Sequence, residues 1–387
     1  MRDFVRRIDS ATPAERDRAI DALRAIAILG VVLGHWLVTA LVVDSGTMHG
    51  SSPLQYMPQF TPVSWVFQTL AVFFLVGGQV GAKSYASARA RGENYGRWLR
   101  TRMTRLLRPV LVVLVVWTVA ACTMLASGAD QDTVRALCKL VWSPLWFLVV
   151  FAALTAATPL VAKLHPLWPF AVVLITDLYR FGLDAPGGFT SVNVVAGWLV
   201  PYCLGAAWAR GDLHSRRTGW TLLLGGAAAT AGLVLCAGYP AAMVGVPGLA
   251  ISNLDPPTLA VVTFGLAQCG AALLLLGPLR RVLQRPAVWA VVATVNLSAM
   301  TIFLWHQTAM IAVTATGLLA GGTLPGLHTV PETPGWVLAR LSWLPVFAVA
   351  LLICWVAFRG YEQRRPRNQS MVVRKGRPAR SAEARRA

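Results

Sequence analysis

The sequence predicts an all-α, polytopic membrane protein with about ten transmembrane helices and both termini in the cytoplasm. Of its 387 residues, 56% are hydrophobic and only 13% are charged, whereas about a quarter of the residues in a soluble globular domain are charged. The apolar residues also form runs that are long enough to cross a bilayer as helices. The basic residues fall mainly in alternate loops, which is typical of the cytoplasmic side.

Ten apolar runs of roughly 17 to 25 residues predict the individual spans. The fifth run has the weakest signal, because Asp177 and Arg180 interrupt it. The predicted spans are approximately residues 20–43, 61–82, 109–127, 141–162, 167–183, 191–209, 219–238, 258–279, 297–320 and 336–358.

The net charge of +19 is one-sided when the N-terminus is placed in the cytoplasm. The inner segments then hold 30 of the 35 Lys and Arg residues, and the outer segments hold only Arg135, Lys139 and Arg180. This asymmetry favours an even number of spans. A nucleic-acid partner is not expected, because the arginines are divided among loops and do not alternate with base-stacking aromatic residues on one soluble face.

The chain divides into three regions. Residues 1–19 are predicted to form a mobile cytoplasmic arm, residues 20–358 the membrane domain, and residues 359–387 a basic, disordered cytoplasmic tail that lies against anionic lipids. Between the second and third spans, arginines alternate with apolar residues over 97–108, which indicates an amphipathic helix in the membrane interface. The six cysteines show no metal-type spacing, so no bound metal is expected.

The first span carries ionisable residues, which are costly in a bilayer and indicate function. Arg24 and His35 are eleven residues apart, which places them on one helix face about 16 Å apart along the axis. A buried imidazole stays neutral and can act as a general base, and an arginine at the rim can bind a phosphate. Alternatively, His35 donates to a carbonyl of a neighbouring helix and Arg24 pairs with Asp21. Gly30 and Gly34 should let another helix approach closely.

A second histidine, His306, lies in the ninth span. The topology predicts that it lies at a similar depth to His35, and a polar contact between helices is the alternative role. The other ionisable residues within the spans are expected to be structural. Asp177 and Arg180 should pair, and Arg340 should extend its charged end to the outer interface.

Together these motifs resemble the acyltransferase 3 family of multi-pass membrane O-acyltransferases. The first span has the family's Arg, ten residues, then His, preceded by a D-x-L-R stretch from Asp21 to Arg24. Two positions depart from the family pattern: Gly77 replaces the usual Ser, and Gln79 replaces an aromatic residue. The similarity covers about residues 20–358, and its other motifs are residues 73–78 (FFLVGG, similar to FFxxSG), the run Arg102, Arg105 and Arg108-Pro109, residues 144–148 (PLWFL) and residues 298–306.

The resemblance implies transfer of an acyl group, commonly acetyl, from acyl-CoA as co-substrate to a hydroxyl of a carbohydrate or related acceptor, with no bound cofactor. The acceptor could be a glycan, a lipid-linked sugar or a natural product, and the setting implied is the envelope of a bacterial cell, at its inner (plasma) membrane. The implied roles are general base for His35, donor binding for Arg24, Arg105 and Arg108, pocket lining for Trp146 and His306, and support for Asp21.

A function from another class also fits the membrane-embedded histidines and arginines. A proton-coupled transporter or a flippase of a small polar or glycan substrate uses the same residue types. Dependence on acyl-CoA discriminates between the two functions.

Overall fold

Helices make up nearly all of the regular structure in the computed structural model, which describes residues 2–44, 47–183, 187–249, 251–320 and 322–363. The described residues contain one sheet, with two antiparallel strands. In chain order, the first half comprises α1 (Arg2–Ser10), α2 (Arg18–Val38), β1 (Ala40–Asp44), β2 (Thr47–Ser51), α3 (Pro53–Tyr56), α4 (Thr61–Ser64), α5 (Leu70–Ala90), α6 (Tyr95–Ala126), α7 (Gln131–Trp142), α8 (Trp146–Ala156) and α9 (Thr158–Val161). The second half comprises α10 (Leu167–Asp177), α11 (Asn193–Arg210), α12 (Arg216–Cys236), α13 (Leu259–Val282), α14 (Pro286–Leu297), α15 (Ala299–Leu319) and α16 (Pro334–Gln363).

Eight helical segments of the described chain are long and apolar enough to cross a membrane. They correspond to the predicted spans except the second and the fifth, whose residues form α5 and α10. The prediction of an all-α polytopic membrane protein is therefore confirmed. The number of spans and the side on which the termini lie stay predictions.

Two predicted spans have different boundaries in the structure. The first was expected to continue to Val43, but α2 ends at Val38 and the next residues pair with β2. The second was expected to begin at residue 61, but α5 begins at Leu70. Pro58 and Pro62 lie at the starts of short helical turns before it, since proline is tolerated there but interrupts a longer helix.

The segments expected on the cytoplasmic side are more ordered than predicted. Residues 97–108 are not a separate interfacial helix, because they form the first part of the 32-residue α6. The N-terminal arm contains α1, and the indole N–H of Trp289 donates to the Thr12 hydroxyl at 2.8 Å. Arg18 also lies over the Trp289 ring, at 5.0 Å from its centroid. Most of the predicted basic tail, residues 364–387, lies outside the described residues.

Helix α2 is surrounded by α5, α13, α14, α15 and α16. Its Gly30 and Gly34 lie against Thr69 and Phe67, so the close neighbour of this face is the turn before α5 and not the helix that was predicted. The Thr69 hydroxyl donates to the Ala27 carbonyl of α2 at 2.7 Å. Because a side chain on either glycine would meet these residues, the close approach depends on glycine. The ionisable face of α2 is thereby held inside the helix bundle.

Candidate functional site

The two histidines predicted to lie at a similar depth face each other. The ring centroids of His35 on α2 and His306 on α15 are 5.1 Å apart, and the ring planes are tilted by 40°. The indole N–H of Trp36 donates to the His306 carbonyl at 3.0 Å, which ties the two helices together beside the rings. We call His35 and His306 the histidine pair.

The hydrogen bonding of His306 determines its tautomer. The ring is buried, with 1% exposure, and its Nδ1 lies within hydrogen-bond distance of the Phe303 carbonyl oxygen. A carbonyl can only accept, so the Nδ1 atom carries the proton and Nε2 is left with a lone pair. Within the described part of the chain, Nε2 has no hydrogen-bond partner. A buried acceptor without a partner is unusual in a folded protein and indicates a place for a ligand or a proton.

His35 is only half-buried. Among the described residues its imidazole contacts the His306 ring and makes no hydrogen bond. The alternative in which His35 donates to a carbonyl of a neighbouring helix is therefore not the arrangement found. Both ring nitrogens of His35 remain available to a substrate.

Aromatic side chains lead away from the histidine pair, and we call them the aromatic wall: Phe303, Phe147, Trp146 and Trp198. The His306 and Phe303 ring centroids are 5.5 Å apart, and those of Phe303 and Phe147 are 4.7 Å apart. Trp146 follows at 6.5 Å from Phe147 and 5.9 Å from Trp198. Trp146 is thus connected to the histidine pair through two phenylalanine rings.

Trp146 also borders an open groove of about 810 Å³ between α6, α7 and α8. The groove is mainly apolar, with two basic residues on its α7 side. Its other lining residues include Leu125, Val134, Cys138, Trp142 and Val149. The predicted pocket residue Trp146 therefore connects a surface groove to the aromatic wall.

At the other end of α2, Arg24 lies near two carboxylates, those of Asp21 and Glu362. The alternative in which Arg24 pairs directly with Asp21 is not the arrangement found, because Asp21 forms a bidentate ion pair with Arg16 at 2.6 and 3.0 Å. This hydrogen bond raises the pKa of Arg16 above its ordinary value. In the described ranges, Arg24 makes neither a hydrogen bond nor an ion pair. Its guanidinium is free to bind an anion.

Other arginines lie near Arg24. Arg102 of α6 is close enough to interact electrostatically with both Arg24 and Arg105, and we call these three the arginine cluster. Two carboxylates lie near Arg24, and both are already engaged: Asp21 pairs with Arg16, and Glu362 accepts hydrogen bonds from Thr301 at the start of α15. The three like charges of the cluster repel each other, so an anion would stabilise the cluster.

The remaining predicted donor-binding residue is not part of the arginine cluster. Arg108 is half-buried one turn beyond Arg105 on α6. No interaction joins it to Arg24 in the part of the chain that the structure describes. Arg105 itself is exposed, as an arginine that meets a soluble ligand must be.

A comparison with protein-family models identifies the chain. The model of the acyltransferase 3 family, described as an acyltransferase domain, matches residues 17–359. The chain belongs to this family. It is therefore a membrane acyltransferase. No curated protein and no solved structure matches it.

The structure explains how the acyltransferase accommodates one of its departures from the family pattern. A Cβ atom added to Gly77 would overlap the Phe151 ring. That ring packs against Phe73 and Phe74, with centroids 5.0 and 5.9 Å apart. The aromatic side chain of α8 thus occupies the space where a serine side chain would lie. The change at residue 77 alters the shape of the helix contact and leaves the histidine pair in place.

The other ionisable residues within the predicted spans are bound differently than expected. Asp177 does not form an ion pair with Arg180, whose guanidinium lies over the neighbouring aromatic ring. The buried Asp177 carboxylate accepts from Asn193 at 3.2 Å, from Tyr239 at 3.1 Å and from the Leu259 amide. Burial, together with this carboxylate, raises the pKa of the Tyr239 hydroxyl, which stays protonated and donates. These contacts tie α10, α11 and α13 together.

Arg340 does not extend to the interface as predicted. Its side chain is 1% exposed, and its guanidinium donates to backbone carbonyls inside the bundle. The sequence could not reveal this, because an arginine near a helix end reaches either solvent or a buried carbonyl depending on its neighbours.

Some residues of the site lie in the family motifs but were given no role from the sequence. Arg102 is in the arginine run, three residues before Arg105 and therefore on the same face of α6. Phe147 and Phe303 lie within residues 144–148 and 298–306, and Phe303 is three residues before His306 on α15. Trp198 had no signal, since an isolated aromatic residue in an apolar helix gives no indication of which ring it will contact.

No metal centre is evident in the described residues of the acyltransferase, where no three His, Cys, Asp or Glu side chains group together. All six cysteines are free thiols.

Proposed function

We propose that this acyltransferase moves a short acyl group, such as acetyl, from acyl-CoA to a hydroxyl of a carbohydrate or related acceptor, with His35 as general base. The observation that carries the proposal is the unbonded imidazole of His35 beside His306, on the same continuous helix as the unpaired Arg24. A base and an anion site on one rigid element suit a reaction between a neutral hydroxyl and an anionic donor.

The proposed reaction needs one proton shuttle. A ring nitrogen of His35 takes the proton of the acceptor hydroxyl as the oxygen attacks the thioester carbonyl. The tetrahedral intermediate collapses with loss of the CoA thiolate, which takes the proton back from the imidazolium. The products are an ester and free CoA. His306 lines the pocket, and its unpartnered Nε2 is available to accept the N–H of His35, which leaves the other nitrogen of His35 for the hydroxyl.

The donor would bind across the length of α2. The arginine cluster would hold the phosphates of CoA by charge-assisted hydrogen bonds. The eleven residues between Arg24 and His35 correspond to about 16 Å of helix, a distance that the extended pantetheine arm can cover. Arg108 is a further candidate for a phosphate contact, and Asp21 supports the cluster, since its carboxylate acts electrostatically on Arg24 and pairs with the neighbouring Arg16.

The acceptor would meet the acyl group at the histidine pair, with the aromatic wall and Trp146 on one side of its pocket. A glycan, a lipid-linked sugar or a natural product is compatible with a hydroxyl acceptor and an aromatic-lined site. The one-sided distribution of basic residues supports cytoplasmic termini. The family resemblance supports an enzyme of the inner, or plasma, membrane of a bacterial cell, where it would modify carbohydrate of the envelope.

The test compares purified wild type with His35→Gln, using acetyl-CoA as donor and an extract of cell-envelope glycans and lipids as acceptor. We expect the variant to bind acetyl-CoA normally but to transfer acetyl about 10² to 10⁴ times more slowly, the usual contribution of a general base. Mass spectrometry of the extract and release of free CoA thiol measure transfer.

His328→Asn is the matched control. His328 is more buried than His35, with 1% exposure, and its two ring nitrogens are already bonded to the Leu324 amide and the Thr314 carbonyl. This control should retain its turnover per folded molecule. Full transfer by His35→Gln would overturn the assignment of the base, and transport of a solute by wild type without any consumption of acetyl-CoA would favour a transporter.

A further inference from the structure

Arg340 is a buried cation whose contacts converge on the helices that carry the histidine pair. It lies in the second turn of α16 and is 1% exposed. Its Nε donates to the Trp36 carbonyl at 2.6 Å, and its Nη2 donates to the Thr39 carbonyl at 2.7 Å. Its Nη1 donates to the Gly326 carbonyl at 2.8 Å. The guanidinium therefore binds the end of α2 immediately after His35.

The environment of the buried Arg340 guanidinium is unusual for a cation. Its hydrogen-bond acceptors among the described residues are three carbonyl oxygens and the Met310 sulfur, at 2.9 Å, and none is a carboxylate. Burying a cation is costly unless its donors are satisfied. Here the carbonyls at the C-terminal end of α2 supply the negative end of a helix dipole. The guanidinium also lies over the Phe347 ring, 4.6 Å from its centroid, and the face of an aromatic ring attracts a cation. The charge is thus held in one defined position.

The same contacts join α2 to α15. Trp36 accepts from Arg340 through its carbonyl and donates through its indole to the His306 carbonyl. Met310 lies one turn after His306 on α15. The Thr39 N–H donates to the His35 carbonyl at 3.0 Å, and the Thr39 carbonyl accepts from Arg340. Arg340 therefore contacts the backbone just after His35 on α2 and the Met310 side chain one turn after His306 on α15.

We propose that Arg340 is a positioning residue for acyl transfer, which fixes the last turn of α2 against α15 so that the His35 and His306 rings face each other. The inference rests on the proposed role of His35 as the base. Without the guanidinium, the Trp36 and Thr39 carbonyls lose their donors at the point where α2 changes into β1, and the last helical turn can rotate. A displacement of about 1 Å at a reacting group is enough to reduce a rate about a hundredfold.

The experiment measures kcat and KM for release of CoA from acetyl-CoA, with water as the hydroxyl acceptor, in purified full-length protein. Arg340→Met keeps the length of the side chain and removes the charge and its donors, and Arg340→Lys keeps the charge with fewer donors. We expect kcat to fall about 10- to 100-fold in Arg340→Met, with KM for acetyl-CoA unchanged because the arginine cluster lies at the other end of α2. The kcat of Arg340→Lys should lie between those of Arg340→Met and wild type.

The control is Asn253→Ala, which removes another buried side chain that donates to backbone carbonyls. Asn253 is 0% exposed and donates to the Pro240 and Ala242 carbonyls, so its hydrogen bonds involve neither histidine. This variant should lower the melting temperature without lowering kcat per folded molecule. If Arg340→Met does not fold, Arg340→Lys carries the test, and an unchanged kcat in whichever variant folds would overturn the proposal.

A double variant shows whether Arg340 acts through His35. Adding Arg340→Met to His35→Gln should cause no further loss of kcat, because the base that it positions is already absent. Multiplicative losses would contradict the proposal. The two proposals fail separately: full activity in His35→Gln would overturn the general base, whereas an inactive His35→Gln with a fully active Arg340→Met would overturn the positioning role alone.

Discussion

At the scale of single residues, two neighbouring arginines differ in what they can bind. Arg16 is bound by Asp21 through two hydrogen bonds, whereas Arg24 forms no direct ion pair with any described residue and lies near the like charge of Arg102. A surface arginine that already has a carboxylate gains little from a phosphate, because it would exchange one anion for another. An unpaired arginine gains the full interaction. The availability of Arg24 is therefore a consequence of the ion pair formed by its neighbour.

We predict that Arg24→Gln raises KM for acetyl-CoA about 10- to 100-fold. A hydrogen bond to a charged group contributes about 1.5 to 3 kcal/mol, and each 1.4 kcal/mol corresponds to about a tenfold change in affinity. The value of kcat should change much less, because the base is unaltered. Steady-state kinetics over a range of acetyl-CoA concentrations measure both constants.

Arg18→Gln is the matched control for this prediction. It removes an arginine from the same end of α2, one that pairs with Asp9 and not with Asp21, and should leave KM for acetyl-CoA within about twofold of wild type. Equal effects of the two substitutions would show that only the general positive charge of this end matters. An unchanged KM in Arg24→Gln would remove Arg24 from the donor site.

At the scale of helices, the closest contact near the site joins α5 and α11. A Cβ atom on Gly78 would overlap the Tyr202 carbonyl, and one on Gly205 would overlap the Leu75 carbonyl. Small residues at facing positions let two helix backbones approach, which is a main source of stability for helices in membranes. Tyr202 in turn shares a 2.9 Å hydrogen bond with Thr158. The contact therefore holds α5 against α11.

We predict that Gly78→Ala destabilises the protein by about 1 to 3 kcal/mol, the usual cost of overpacking a tight contact. Gly225→Ala should be neutral or slightly stabilising, because its Cβ would point into open space and alanine favours a helix by about 1 kcal/mol relative to glycine. Thermal unfolding in detergent measures both. If the two variants had the same stability as wild type, the α5–α11 contact would be looser than the structure indicates.

At the scale of the whole molecule, the topology depends on two helices. Helix α5 has 21 residues, or about 31 Å of helix, which is enough to cross the hydrocarbon core of about 30 Å. Helix α10 has only 11 residues and continues as a π-helix from Leu178 to Gly182. Both must span the membrane for the ten-span topology to hold.

We predict opposite sidedness for two introduced cysteines in a variant without the six native ones. Ala129→Cys, after the third span, should react with a membrane-impermeant maleimide in intact cells. Gln284→Cys, after the eighth span, should react only after permeabilisation. If the cysteine of Ala129→Cys does not react in intact cells, α5 does not cross the membrane. If that cysteine reacts and the cysteine of Gln284→Cys also reacts without permeabilisation, α10 does not cross the membrane.

Much of the fold could be predicted because it depends on local properties of the chain. The lengths of the apolar runs and the asymmetry of basic residues are sufficient for a helical membrane protein. The spacing of Arg24 and His35 is sufficient to place them on one face of α2, since a helix has a fixed period. The end of α2 at Val38 could not be predicted, because the apolar run continues and only the pairing of β1 with β2 interrupts it.

The sequence by itself determined the class of the protein, the family motif and the two histidines, since these depend on composition and on spacing along one helix. Only the tertiary structure decided which side chains have partners. It placed His306 opposite His35, paired the Asp21 carboxylate with Arg16 and not with Arg24, and buried Arg340 against the end of α2. The physical reason is that a hydrogen bond or ion pair between distant residues depends on how helices pack, which no local pattern encodes.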